Sequence, residues 1–95
     1  MMTLDQIART LGFTQSLLQS DGGYGRAANK MAAQHRRTFM VHAFELGHDI
    51  ADIAKYLDRG KFTILHGLRM HCMQTYGAPY EQSETELRQW MGVNA

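Results

Sequence analysis

Apolar residues recur with helical spacing at Ile50, Ile53, Ala54 and Leu57, stop at Asp58-Arg59-Gly60-Lys61, and resume at Ile64, Leu65, Leu68, His71 and Cys72. A period of three to four residues places each set on one face of a helix. Two amphipathic helices joined by about four residues containing glycine are the signature of a helix-turn-helix, a corner at which the second helix starts on an exposed edge. Asp49 is placed to cap the first helix, and Gly77-Ala78-Pro79 ends the second near Tyr76, so the motif covers about residues 49–76.

The rest of the chain also reads as helix, and strand signals are nearly absent. Thr3 with Gln6 forms a capping box, after which Leu4, Ile7, Ala8 and Leu11 share a face and Gly12 ends the helix. Thr14 caps a second helix with Leu17 and Leu18 turned inward, before the glycine-rich loop Asp21-Gly22-Gly23-Tyr24-Gly25. From about Arg26 to Leu46 no Pro or Gly interrupts the longest helix, in which Met31, Ala32, Phe39, Ala43 and Leu46 recur at core spacing and Gly47 is the stop. Ser83 with Glu86 opens a short accessory helix, about 84–91, carrying Leu87, Trp90 and Met91 and ending at Gly92.

These signals predict an all-α fold, a single domain over residues 1–95 of about six helices. A chain of 95 residues fills one core only, and its 44% hydrophobic and 20% charged composition is that of a globular protein. Cys72 is the only cysteine, which excludes an intramolecular disulfide and suits a reducing compartment; it reads as a small buried hydrophobe. No apolar run reaches the roughly 20 residues of a membrane span, and the opening MMTLDQIART lacks signal-peptide character. The expected location is cytoplasmic, with no membrane partner.

The net charge of +1 conceals an uneven distribution. Residues 24–71 hold Arg26, Lys30, Arg36, Arg37, Lys55, Arg59, Lys61 and Arg69 against Glu45, Asp49, Asp52 and Asp58, while both ends are acidic. A positive middle points to a polyanionic partner. In a helix-turn-helix the second helix enters the major groove of double-stranded DNA. There Thr63 can hydrogen-bond a base or touch a thymine methyl, Phe62 can make apolar contact, and Arg59 and Lys61 can hold phosphate or guanine.

Other chemistries find little purchase. His66, His71 and Cys72 do not converge on one helix, so no metal or cofactor site is expected. Glu84 and Glu86 read as favourable charge at a helix start, and no nucleophile-base pair or paired carboxylates can be placed in one pocket, so the chain is not expected to be an enzyme. Met31, Met40, Met70, Met73 and Met91 read as core filler or partner-facing surface.

The stretch from Asp52-Ile53-Ala54 through Arg59 to Thr63-Ile64-Leu65-His66-Gly67-Leu68-Arg69 resembles the carboxy-terminal DNA-binding domain of DnaA-type chromosomal replication initiators. That family shows there a Glu-Ile-Gly start, a Gly-Gly-Arg turn and then Asp-His-Thr-Thr-Val-Leu-His-Ala-Cys-Arg. Ile7-Ala8, Leu17-Leu18, the loop at 21–30 and the run from Arg36 to Glu45-Leu46 extend the likeness over roughly residues 5–75. No phosphate-loop motif and no counterpart of the initiator's ATPase domain accompany it. The resemblance implies a Trp-repressor-like helical fold, Thr63 as a base reader, Arg36 as a phosphate binder, Arg59 as the turn arginine, and Arg26 or Lys30 in place of the loop arginine. Gly60, Lys61 and Phe62 stand where the family has Asp, His and Thr, which implies duplex binding without the family's usual target box. The expected DNA-contacting set is therefore Arg26, Lys30, Arg36, Arg37, Arg59, Lys61, Phe62 and Thr63, in a regulator of replication initiation or transcription. The alternative is an interaction module that binds a replication initiator or another replication protein, with Phe62 as its anchor.

Overall fold

The structure, a computed structural model, describes residues 1–20 and 25–94, with the side chains at 26, 93 and 94 outside the description. The glycine-rich loop expected at 21–25 therefore falls outside the described residues except for Gly25, and the side chain of Arg26 falls outside them as well. Six helices form among the described residues: α1 (Leu4–Thr10), α2 (Gln15–Gln19), α3 (Arg26–Glu45), α4 (Ile50–Leu57), α5 (Lys61–Tyr76) and α6 (Glu84–Asn94). The all-α class, the capping residues and the break between the two helices of the motif are as the sequence predicts. No helix among the described residues is long and apolar enough to cross a membrane.

Side-chain oxygens start four of the helices. Thr3, Thr14 and Asp49 accept from the amides of Gln6, Leu17 and Asp52, while Ser83 and Glu86 form the second reciprocal box. Left-handed residues stop four helices, Gly77 with φ of 70° after α5, and Gly12, Gly47 and Asp58, with φ of 84°, 103° and 55°, after α1, α3 and α4. For the last three a common pattern holds. In each case the following amide reaches back five residues, Phe13 to Ala8, His48 to Ala43 and Arg59 to Ala54, which is the Schellman closure. In the motif turn it is Asp58, and not Gly60, that takes the left-handed conformation.

α3 packs against all five other helices. Its second half supplies Phe39, Met40, Val41, Ala43 and Phe44 to a core completed by Leu18, Ile53, Leu57, Ile64, Leu68, Cys72, Leu87 and Met91. Phe39 stacks on Tyr56 with ring centroids 5.1 Å apart, and Trp90 packs back on Tyr76. The Tyr56 hydroxyl donates to Asp5 at 3.1 Å, and burial together with that carboxylate pushes its pKa up to about 12. Four expectations change. Leu17 and Leu46 are exposed rather than inward, and Met31 is 57% exposed, on a stretch of α3 where between residues 27 and 38 only Ala32 is buried. The accessory helix does not stop at Gly92 but runs on to Asn94, since Gly92 keeps an ordinary φ.

Side chains of α3 lie directly over one glycine of α5. Gly67 is buried in mid-helix, where glycine costs about 1 kcal/mol relative to alanine. A Cβ on Gly67 would stand 2.5 Å from Met40 Sδ and 3.3 Å from Arg37 Nε, so a side chain there would displace the Met40 thioether from its place in the core. Gly67→Ala is expected to lower stability by about 1–2 kcal/mol despite its better helix propensity. Adding Met40→Val should recover part of the loss, as measured by urea denaturation of both single variants and the double; a more stable Gly67→Ala would contradict the close approach.

Candidate nucleic-acid interface

The corner between α4 and α5 is held by its carbonyls. A helix leaves its last four C=O groups without intrahelical partners, and in α4 each finds one. Ala54 O accepts from the Arg59 amide and Lys55 O from the Asp58 amide. Tyr56 O accepts from Gln15 Nε2 at 3.1 Å and Gln19 Nε2 at 2.9 Å, both on α2. Leu57 O accepts from Arg59 Nη1 at 3.3 Å, and the same nitrogen reaches Asp58 O at 3.1 Å. Arg59 Nη2 then donates to Gln19 O at 3.1 Å, and Arg36 Nη1 donates to Ser20 O at 2.6 Å. Two guanidinium groups thus meet adjacent carbonyls at the C-terminus of α2, where positive charge is favourable.

At the start of α5 the arrangement is the opposite. Gly60 is the N-cap and offers no side-chain acceptor, so the first amides of α5 point outward without a cap. The amides of Thr63 and Ile64 reach Gly60 O, but Lys61 and Phe62 stand earlier in the turn. Lys61 and Thr63 are exposed, and Phe62 is 69% exposed. An uncapped helix start flanked by cations can hold phosphate oxygen, while the side chains of its first turn are free to meet base edges.

The expected contact residues fall into two groups. Arg36, Arg59, Lys61, Phe62 and Thr63 belong to the corner, linked through the end of α2. Lys30 and Arg37 lie elsewhere, along a trough between α3 and α5 that also takes in Gln34, Thr38 and Gln74. Arg36 and Arg37 are neighbours in sequence, yet a helical turn of about 100° per residue sends one towards α2 and the other towards α5. Arg59, expected as a phosphate contact, has in addition a structural task, since its guanidinium closes the turn. Sequence reasoning passed over Gln15 and Gln19, whose partner lies 41 and 37 residues away. It also left out Gln34, Thr38 and Gln74, which carry no motif.

The histidines have local partners. His66 Nδ1 and the Tyr80 hydroxyl share a hydrogen bond at 2.7 Å, and Arg69 lies over the Tyr80 ring while its Nε donates to Gln82 O. These contacts strap the segment before α6 onto α5. His71 sits beside the trough with Arg37, Thr38, Val41 and His42. Burial lowers its pKa below the usual 6.5, Glu45 opposes the shift, and Arg37 and His42 add to it. Among the described residues no three His, Cys, Asp or Glu side chains gather as metal ligands do. Compared with known family models, curated proteins and solved structures, the chain matches none.

Arg59→Ala should cost about 1–2 kcal/mol, because it leaves the carbonyls of Leu57, Asp58 and Gln19 short of a donor. Lys61→Ala, at an exposed position, should stay within about 0.5 kcal/mol of the parent. Chemical denaturation of the two variants gives the comparison, and equal stabilities would rule out the bracing role of Arg59. For His71 the unfolded state takes up a proton near pH 6.5 while the folded state resists it, so this group's contribution is intact above that pH and is lost as pH falls below it. His71→Gln should flatten the decline of thermal midpoint between neutral pH and the acid side of 6.5.

Proposed function

We propose that the chain is a double-stranded DNA-binding protein of the helix-turn-helix kind, regulating replication initiation or transcription. The observation that carries this reading is the outward, uncapped start of α5, with Lys61 and Thr63 exposed and Phe62 at 69% exposure, after a helix whose four terminal carbonyls all find donors. A rigid turn holds the first turn of α5 at a fixed angle, and rigidity is what base readout requires. Lys61 and the amides of the first turn dock on phosphate, while Thr63 and Phe62 meet base edges, Phe62 through the thymine methyl. The likeness to the DNA-binding domain of DnaA-type initiators supports the same use of α5, and the different chemistry at Gly60, Lys61 and Phe62 fits another target site.

A second reading is favoured by Phe62 and by the arginines. An exposed phenylalanine at a fixed corner is a common protein anchor, and Arg36 and Arg59 already serve carbonyls of α2. On that reading the partner is a replication initiator or another replication protein. Gel retardation on random duplex at low and moderate salt separates the two: the first expects retardation that weakens steeply with salt, the second expects none. Lys61→Ala should weaken binding to all sequences alike and reduce the salt slope by about one, whereas Thr63→Val should mainly change preference among sequences. Affinity indifferent to both would remove α5 from the interface.

A further inference from the structure

Six arginine side chains are described, and five of them rest on protein oxygen. Arg9 pairs with Asp5 at 2.7 Å, Arg36 and Arg59 donate to the end of α2, Arg69 to Gln82 O, and Arg88 to the carbonyls of Phe44 and His48. Arg37 is the sixth. It is half-buried, its Nε lies close to the bare backbone of Gly67, and among the described residues its guanidinium has no ion pair and no hydrogen bond. A guanidinium carries five N–H donors in a rigid fork that matches phosphate in two places at once.

Arg37 lines both of two adjoining hollows between α3 and α5, of about 650 and 220 Å³. The larger also holds Lys30, Gln34, Thr38 and Gln74, so two cations and three neutral hydrogen-bonding side chains face it and no carboxylate lines either hollow. Lys30 precedes Arg37 by two helical turns, about 10 Å along the axis. That separation is too long for one phosphate and suits a chain in which phosphate recurs about every 3.4 Å of axial rise, with the two cations about three nucleotides apart.

We propose that the trough between α3 and α5 is a second phosphodiester site, holding the backbone of the same duplex whose major groove meets the first turn of α5. The proposal rests on the DNA-binding reading and extends its footprint. Thr63, Gly67 and Gln74 lie on one side of α5, Gly67 one turn and Gln74 three turns after Thr63, and about 16 Å separates the first from the last. A B-form major groove is about 12 Å wide, so a backbone flanking the groove that receives Thr63 comes within reach of the trough. Gly67 then has a purpose beyond packing, since the absence of its side chain lets the Arg37 stem lie flat against α5.

The test uses the full chain, random duplex and three variants: Arg37→Gln, the double Lys30→Gln/Arg37→Gln, and Lys61→Ala. Each trough substitution should lower the slope of log affinity against log salt by about 0.9, and the double should weaken binding about tenfold or more at moderate salt. The Arg37 Nε resonance should move on titration with duplex and stay put with inorganic phosphate at the same phosphate concentration. Parent-like affinity and slope for both trough variants, with Lys61→Ala weakened, would overturn the trough and leave the corner reading standing. Saturable movement of the resonance with inorganic phosphate alone would overturn the repeated-phosphate ligand. A parent that binds no duplex at any salt would remove both. Thermal melts keep folding defects apart from binding, and Arg37→Lys, which retains charge without the fork, should restore most of the slope but only part of the affinity.

Discussion

The closure of the four terminal carbonyls of α4 is the constraint on which the rest of this molecule depends. An open carbonyl in a half-buried turn costs about 1–3 kcal/mol, so each one needs a donor. Asp58 and Arg59 of the turn itself serve Ala54 O, Lys55 O and Leu57 O, and Tyr56 O is left to α2, a helix of five residues that could not persist alone. Gln15 and Gln19 give it a reason to stay docked on α4, Leu18 seals it to the core, and Arg59 returns the bond by donating to Gln19 O. Each element stabilises the others, and the direction in which α5 leaves the turn follows from that mutual closure.

α3 plays two parts along its length. From Phe39 onwards it is core, and ahead of that point it is a polar rod with Ala32 alone buried between residues 27 and 38. The change coincides with Gly67, where Met40 and Arg37 both lean on the backbone of α5. The same crossing therefore ends the hydrophobic part of the interface and begins the cationic part. Arg36 and Arg37 straddle it, one committed to the α2 terminus and the other facing the trough.

Much of the fold was legible because caps and stops act locally. Thr3, Thr14, Asp49 and Ser83 each accept from an amide three residues on, and Gly12 and Gly47 each close the helix immediately before them. Burial was less legible, because periodicity reports a face and not what covers it: Met31 and Leu46 keep the core spacing of α3 yet are exposed, and so is Leu17 on α2. Gly60 drew attention as the residue of the turn, yet Asp58 bears the left-handed conformation, since aspartate tolerates it better than most residues and Gly60 is used to open the next helix. The site was harder still. Exposure of Phe62 and Thr63 follows from the break itself, whereas the diversion of Arg59 to carbonyls depends on contacts across 40 residues that no spacing rule reaches.

Phe62 is the residue that fold stability explains least. A phenylalanine 69% exposed on the first turn of a helix contributes little to the core and exposes apolar surface to water at a position where any polar residue would serve the helix equally well. Its neighbours limit what can cover it. Lys61 and the uncapped amides beside it carry positive charge, so a covering surface must be both apolar at one point and negative around it. A thymine methyl at the edge of a major groove lined by phosphates has that character, and so does an acidic protein surface with a hydrophobic socket. The two differ in reach. A socket needs only the corner, while a duplex extends along α5 and brings phosphate to Arg37 and Lys30, whose charges the fold itself leaves without an ion pair among the described residues. On the DNA-binding reading proposed above, cations at the start of α5 and beside its second half would meet one long ligand with regular negative charge, whereas a point contact at Phe62 would leave the trough unused.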